Sequence, residues 1–174
     1  MDKPIILCIV GCSGSGKTMV SDYIAEMYGW QLIESRTTRP RRTPDEGGHT
    51  FITDEEFDSY AKEDMIAFTQ FGDFFYCCLH KDVHHRSLYV IDEFGLYYLK
   101  THFSDIYDII SLRLHRDKMK RIESVGEERV ARDEGKFTMK DNEFDYVCFN
   151  VTDNKHYVLR FVDDVMEQIL NIYV

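Results

Sequence analysis

The chain has 174 residues, enough for one domain with a real core, and 44% hydrophobic with 30% charged residues is the balance of an ordinary globule. Its net charge of −10 argues against a non-specific grip on nucleic acid through a basic surface. No stretch approaches the ~20 apolar residues of a membrane span and no signal-peptide cleavage site is visible, so a cytoplasmic chain with no membrane partner is expected.

In chain order, Ile5 to Val10 (IILCIV) reads as a central parallel strand buried on both faces. GCSGSGKT follows, from Gly11 to Thr18, and fills G-x-x-x-x-G-K-[ST] without a mismatch. In such a loop successive backbone N–H groups of Gly11, Cys12, Ser13, Gly14, Ser15 and Gly16 form an anion nest. The next helix adds the positive end of its dipole. Gly11, Gly14 and Gly16 are expected to supply positive φ and close approach. Lys17 would reach the β- and γ-phosphates, and the Thr18 hydroxyl would ligate Mg²⁺. A nucleoside triphosphate site with Mg²⁺ is the reading; a small-molecule nucleotide partner leaves kinase, ATPase and GTPase open.

A helix from about Lys17 to Tyr28 stops near Gly29, and a short strand covers Gln31 to Glu34. Ser35 to Phe51 is too polar and interrupted for a helix. Thr53 and Glu56 form a capping box that opens a helix to about Lys62. Met65 to Phe71 and Phe74 to Cys78 read as strands joined at Gly72-Asp73. His80 to Arg86 is read as a helical turn, Leu88 to Ile91 as a buried strand ending in Asp92-Glu93. A helix to Phe103, a strand over Ile109–Leu114, two helices broken near Gly126 and a strand over Tyr146–Asn150 follow. The last helix, Lys155 to Tyr173, repeats Val158, Phe161, Val162, Val165, Ile169 and Ile172 at helical spacing. Alternating strands and helices predict an α/β fold: a P-loop NTPase with a parallel sheet flanked by helices.

Five cysteines without C-x-x-C spacing predict free thiols in a reducing compartment. His80 and His84 lie one helical turn apart, but nothing nearby completes a zinc set. Arg36, Arg39, Arg41 and Arg42 crowd one stretch of an acidic chain, which suggests a second anion site. Two phosphate sites in one chain imply transfer between them.

SRTTRPRR (Ser35 to Arg42) resembles the S-x-T-T-R-x-x-R stretch of the guanylate kinase family. The likeness continues through Asp45–Gly48, HTF, the aromatic hairpin FTQFGDFFY (Phe68 to Tyr76), VIDEFG (Val90 to Gly95) and DYVCFN (Asp145 to Asn150). It implies a single domain with a core over 1–34 and 79–174, an inserted acceptor-binding subdomain over 35–78 and a helical lid over about 116–137. It implies ATP-dependent phosphorylation of a nucleoside monophosphate, GMP by family default. By position Arg39, Arg42 and Tyr76 would hold the acceptor phosphate and Ser35 would touch the base, with Asp45 or Glu46 in the acidic place. Asp92 would hold the metal through water, and Arg121, Arg129 or Arg132 would close on the transferred group, Arg132 being preferred.

The departures fall on base recognition. The family's guanine-reading glutamate falls at Ala67, the serine beside it at Cys78, and a phosphate-holding tyrosine at Thr50. A kinase for another phosphorylated small molecule, an idle nucleotide-binding module, and an ATPase using Asp92-Glu93 are the alternatives.

Overall fold

The structure is a computed structural model that describes residues 3–150 and 154–173. Its frame is a five-stranded, wholly parallel sheet in the order β2-β7-β1-β8-β9. β1 (Ile5–Val10) lies at its centre and is buried along its whole length, as a strand covered on both faces must be. β7 (Arg86–Val90) and β8 (Asp108–Arg116) flank it, with β2 (Gln31–Leu32) and β9 (Tyr146–Asn150) at the edges. Parallel strands need crossovers, and helices supply them. On one face α1 (Lys17–Tyr28) and α6 (Lys155–Tyr173) pack through Val20, Ile24, Val158, Val162, Val165, Met166 and Ile169. Ile172, which the periodicity assigned to the same stripe, is 68% exposed on the last turn. On the other face α3 (Glu93–Phe103) brings Leu96 and Leu99 against Ile6, Cys8 and Val10.

The region expected to be loop contains two strands. β3 (Ser35–Thr37) and β4 (His49–Phe51) join β5 (Met65–Phe71) and β6 (Phe74–Leu79) in a second sheet of order β4-β3-β6-β5. Three-residue strands are too short to show a periodicity of two, so their polar sequence concealed them. Thr53 caps α2 (Asp54–Asp58) by accepting from the Glu56 N–H at 3.1 Å, but the helix ends four residues earlier than its sequence suggested. One face of this sheet packs on α2 through Phe57, Phe68 and Phe75, with Phe57 stacked on Phe75 at 4.8 Å. The other face presents Thr37, Tyr76 and Thr69 in one row and Ala67 paired with Cys78 in the next.

After β8 come α4 (Lys118–Val125) and α5 (Glu127–Ala131), separated as expected at Gly126, whose φ of 85° no helix continues through. All five cysteines are free thiols. Among the described residues no helix is long and apolar enough to cross a membrane.

Candidate active site

The loops after β1, β7 and β8 gather at the carboxyl ends of the central strands, where the order of an open parallel sheet reverses and a crevice forms. The Gly11–Gly16 loop fills the position between β1 and α1. Gly14 and Gly16 have φ of 78° and 105°, whereas Gly11 is required for space. A Cβ there would come within 2.6 Å of the Leu114 carbonyl oxygen and of Ser15 Oγ. The Lys17 ammonium turns back onto its own loop, donating to the Gly11 and Cys12 carbonyls at 2.6 and 3.0 Å. Burial lowers its pKa to about 8, with the Arg129 and Arg121 guanidiniums pushing the same way and Asp133 opposing. Thr18 is exposed at the loop's edge.

The segment after β8 lies over this loop. Arg116 donates to the Gly14 carbonyl at 2.9 Å, and the Arg121 backbone sits so close that a Cβ on Gly14 would meet it at 3.2 Å. The Asp133 carboxylate accepts from the Ser13 N–H at 2.5 Å and from the Ser13 hydroxyl at 3.3 Å. Arg129 is the inward lid arginine: its Nε is buried and has no hydrogen-bond partner among the described residues. Arg132, preferred from the sequence, is exposed.

The second sheet assembles a connected set of polar groups. Arg39 is buried, and four of its five donors are engaged: Nε on the Tyr76 hydroxyl at 3.2 Å, Nη1 on the Pro40 carbonyl and Glu46, Nη2 on Glu46. Glu46 also accepts from the Arg42 N–H at 2.6 Å. The Arg39 guanidinium, first, and then that amide hold its carboxyl at a pKa of about 2. Of the two acidic candidates, Glu46 is therefore the one that orders the arginines. The Arg42 side chain is 44% exposed, with one 3.3 Å contact to Glu46, and is the arginine with donors to spare. Burial, Arg39 and Arg129 lower its pKa.

Ser35 is buried, and its hydroxyl meets His49 Nδ1 at 2.8 Å. His49 was not singled out in the sequence, yet its ring stands at 5.8 Å from Tyr76 inside this network. Burial and the two arginines lower its pKa, which keeps it neutral at pH 7. Only contact order across the sheet reveals it, since His49 and Ser35 are register partners. Cys78 does not join the set. It packs with Ala67, Ile6, Cys8 and Tyr89 in an apolar cluster, fully buried. Thr50 is exposed. At the mouth of the cleft Lys136, from the lid, lies over the Phe71 ring at 4.9 Å.

Asp92 caps α3, its Oδ1 accepting from the Gly95 N–H at 2.7 Å. Glu93 is buried and committed to structure. Its Oε2 accepts from the Thr138 and Met139 N–H groups at 2.6 and 2.8 Å, and Oε1 faces Arg113 at 3.3 Å. Oε2 is thus tied to the 138–139 segment, while the buried Oε1 has no hydrogen-bond partner among the described residues beside that ion pair. His80 is hydrogen-bonded to Tyr107 at 2.6 Å, and the described residues contain no group of three His, Cys, Asp or Glu side chains able to hold a metal. Mg²⁺ keeps several waters and is held largely by substrate phosphates, so it would need few protein donors. Thr18 and, through water, Asp92 would be its protein contacts.

No family model matches the chain, and no curated protein matches it by sequence. Solved structures do. A guanylate kinase from Anaplasma phagocytophilum superposes with a TM-score of 0.67 at 16% identity, over 96% of this chain and 87% of that one. The fold is that of a P-loop kinase. A gluconokinase from Sinorhizobium meliloti 1021 matches with a TM-score of 0.54 at 15% identity, over 99% and 98% of the two chains. A protein from Eubacterium ventriosum gives a TM-score of 0.51 at 15% identity.

Proposed function

We propose that this P-loop kinase-like chain transfers the γ-phosphoryl group of ATP to a small acceptor that already carries a phosphate, a nucleoside monophosphate in the first reading. The observation that carries it is the buried Arg129 guanidinium, whose Nε has no hydrogen-bond partner among the described residues and whose charge bears on both Lys17 of the loop and Arg42 of the second sheet. One lid cation within range of both anion sites is what a common reaction cleft requires.

Phosphoryl transfer asks for positioning and charge neutralisation. The loop amides and Lys17 hold the donor phosphates. Arg42 and the Tyr76 hydroxyl take the acceptor phosphate, while Glu46 fixes Arg39 beneath them. Arg129 meets the charge that develops between the two. The lid excludes water from the group in transit. A bound Mg²⁺ supplies further neutralisation of the triphosphate.

A second reading concerns the acceptor. GMP is the default of the family the sequence resembles, but the positions that would read guanine, Ala67 and Cys78, are sealed in the apolar cluster. A site that hydrogen-bonds a base discriminates by ~10⁴ or more, and an apolar pair offers nothing of the kind. One of the structural relatives is itself a gluconokinase, not a nucleotide kinase. The deciding experiment incubates the protein with ATP, Mg²⁺ and a panel of nucleoside monophosphates and sugar phosphates, following ADP. Turnover restricted to one monophosphate supports the first reading, and turnover with a sugar phosphate the second. ATP binding without turnover on any acceptor defeats both and leaves a binding module.

A further inference from the structure

One amide of the phosphate loop, that of Ser13, is already taken by the chain's own carboxylate. Asp133 lies in the turn after α5, 120 positions from Ser13, and both its oxygens are on that residue: Oδ2 on the N–H at 2.5 Å and Oδ1 facing the hydroxyl at 3.3 Å. Its side chain is only 16% exposed. One guanidinium pairs with it, and the carboxylate's charge acts on Lys17. Arg121 Nη1 lies 3.9 Å from Oδ2, buried and without a hydrogen-bond partner among the described residues, and Lys17 and Arg129 share the same field. Of the charged side chains acting on Lys17, Asp133 is the carboxylate and the two arginines are the cations. Lys17 meanwhile is parked on two loop carbonyls.

We propose that Asp133 is an internal stand-in for a nucleotide phosphate, latching the lid over the phosphate loop until a polyphosphate displaces it. The inference rests on the triphosphate reading of the loop. A single N–H cannot serve a carboxylate and a phosphate oxygen at once, so binding is an exchange of anions. The incoming group carries more charge and more acceptor oxygens than the one it expels, which lets it win the cations. The exchange frees the turn that bears Asp133, and Arg121 and Arg129 take up the phosphates. Nucleotide therefore binds a protein whose competent form is a fraction of the population, and its apparent affinity is reduced by that fraction.

Calorimetric titration of wild type and Asp133→Ala with ATP, and with inorganic tripolyphosphate in the absence of Mg²⁺, tests this. The variant should bind both ~10-fold more tightly, because the internal competitor is gone. Amide hydrogen exchange supplies a readout that needs no ligand: the Ser13 N–H should be protected in wild type and exchange faster in the variant. Equal or weaker binding by a variant that still shows a wild-type unfolding transition overturns the latch and leaves the kinase reading intact. So does a Ser13 amide that exchanges equally fast in both proteins. Failure of wild type to bind either compound overturns the latch and the triphosphate site together.

Discussion

Lys17 is the residue whose state the site controls most directly. Burial lowers its pKa to about 8 in the ligand-free protein. Phosphate oxygens favour the ammonium, so binding raises that value. Below about pH 8 the proton is already present and affinity is flat. Above it each bound nucleotide must take up a proton, and affinity should fall by up to tenfold per pH unit. Titrations in buffers of different ionisation enthalpy will read the uptake directly. Arg129 and Arg132 make a second test at this scale. Arg129→Ala should lower kcat by about 10³-fold, as loss of an arginine on the transferred group does, and Arg132→Ala should stay within a few-fold. Equal losses in steady-state kinetics would reassign the role. Lys17, Arg39 and Arg42 could be picked out from sequence because phosphate chemistry fixes their residue types and spacing, whereas Tyr76 was reached only through the family resemblance of its hairpin. His49 and Asp133 could not, since each acts through a partner brought to it by tertiary structure.

At the scale of elements, the strand ends carry the design. β7 delivers Asp92 as the cap of α3, and the next residue, Glu93, reaches sideways to the segment that returns from the lid. Arg113 on β8 binds the same segment by donating to the Met139 carbonyl and stacks its guanidinium on Phe144 at 4.9 Å. Together they anchor the lid's far end. Glu93→Ala removes the acceptor of the 138–139 amides and one of the two carboxylates paired with Arg113, Asp141 at 3.4 Å remaining, and should cost about 1–3 kcal/mol in urea unfolding. It should also loosen protection of the 138–139 amides. Strands β1, β8 and β9 and helices α3 and α6 were legible from apolar runs and caps. The same pattern made Asp92-Glu93 resemble an ATPase pair, because sequence shows that two acids follow a strand and not which way each turns. β3 and β4 were hidden because two three-residue polar strands owe their existence to pairing with each other and with β6.

For the whole molecule, the decisive feature is the apolar seam that joins the two sheets. Ile6, Cys8 and Val10 of β1, Tyr89 of β7 and Leu96 of α3 pack against Ile66, Ala67 and Cys78 of the small sheet. The base of the acceptor region is welded to the core, and the positions that a guanine reader would need have become part of the weld. Ala67→Glu should therefore not create a base-reading site. It should bury an unpaired carboxylate, cost 3 kcal/mol or more, and lower Tm by roughly 10 °C in a thermal scan. An unchanged Tm together with new GMP turnover would mean the row opens to the cleft.

The contact between Lys136 and the Phe71 ring joins the segment after α5 to the β5–β6 hairpin, so a lid and an acceptor site as proposed would have a direct mechanical link. Whatever one ligand does to the position of its own half is felt at the other. Thermodynamic reciprocity then fixes the outcome: the factor by which donor tightens acceptor equals the factor by which acceptor tightens donor. A cation over an aromatic ring contributes about 0.5–1 kcal/mol, so Lys136→Ala should erase a synergy of roughly two- to five-fold, by the same amount in either order of addition.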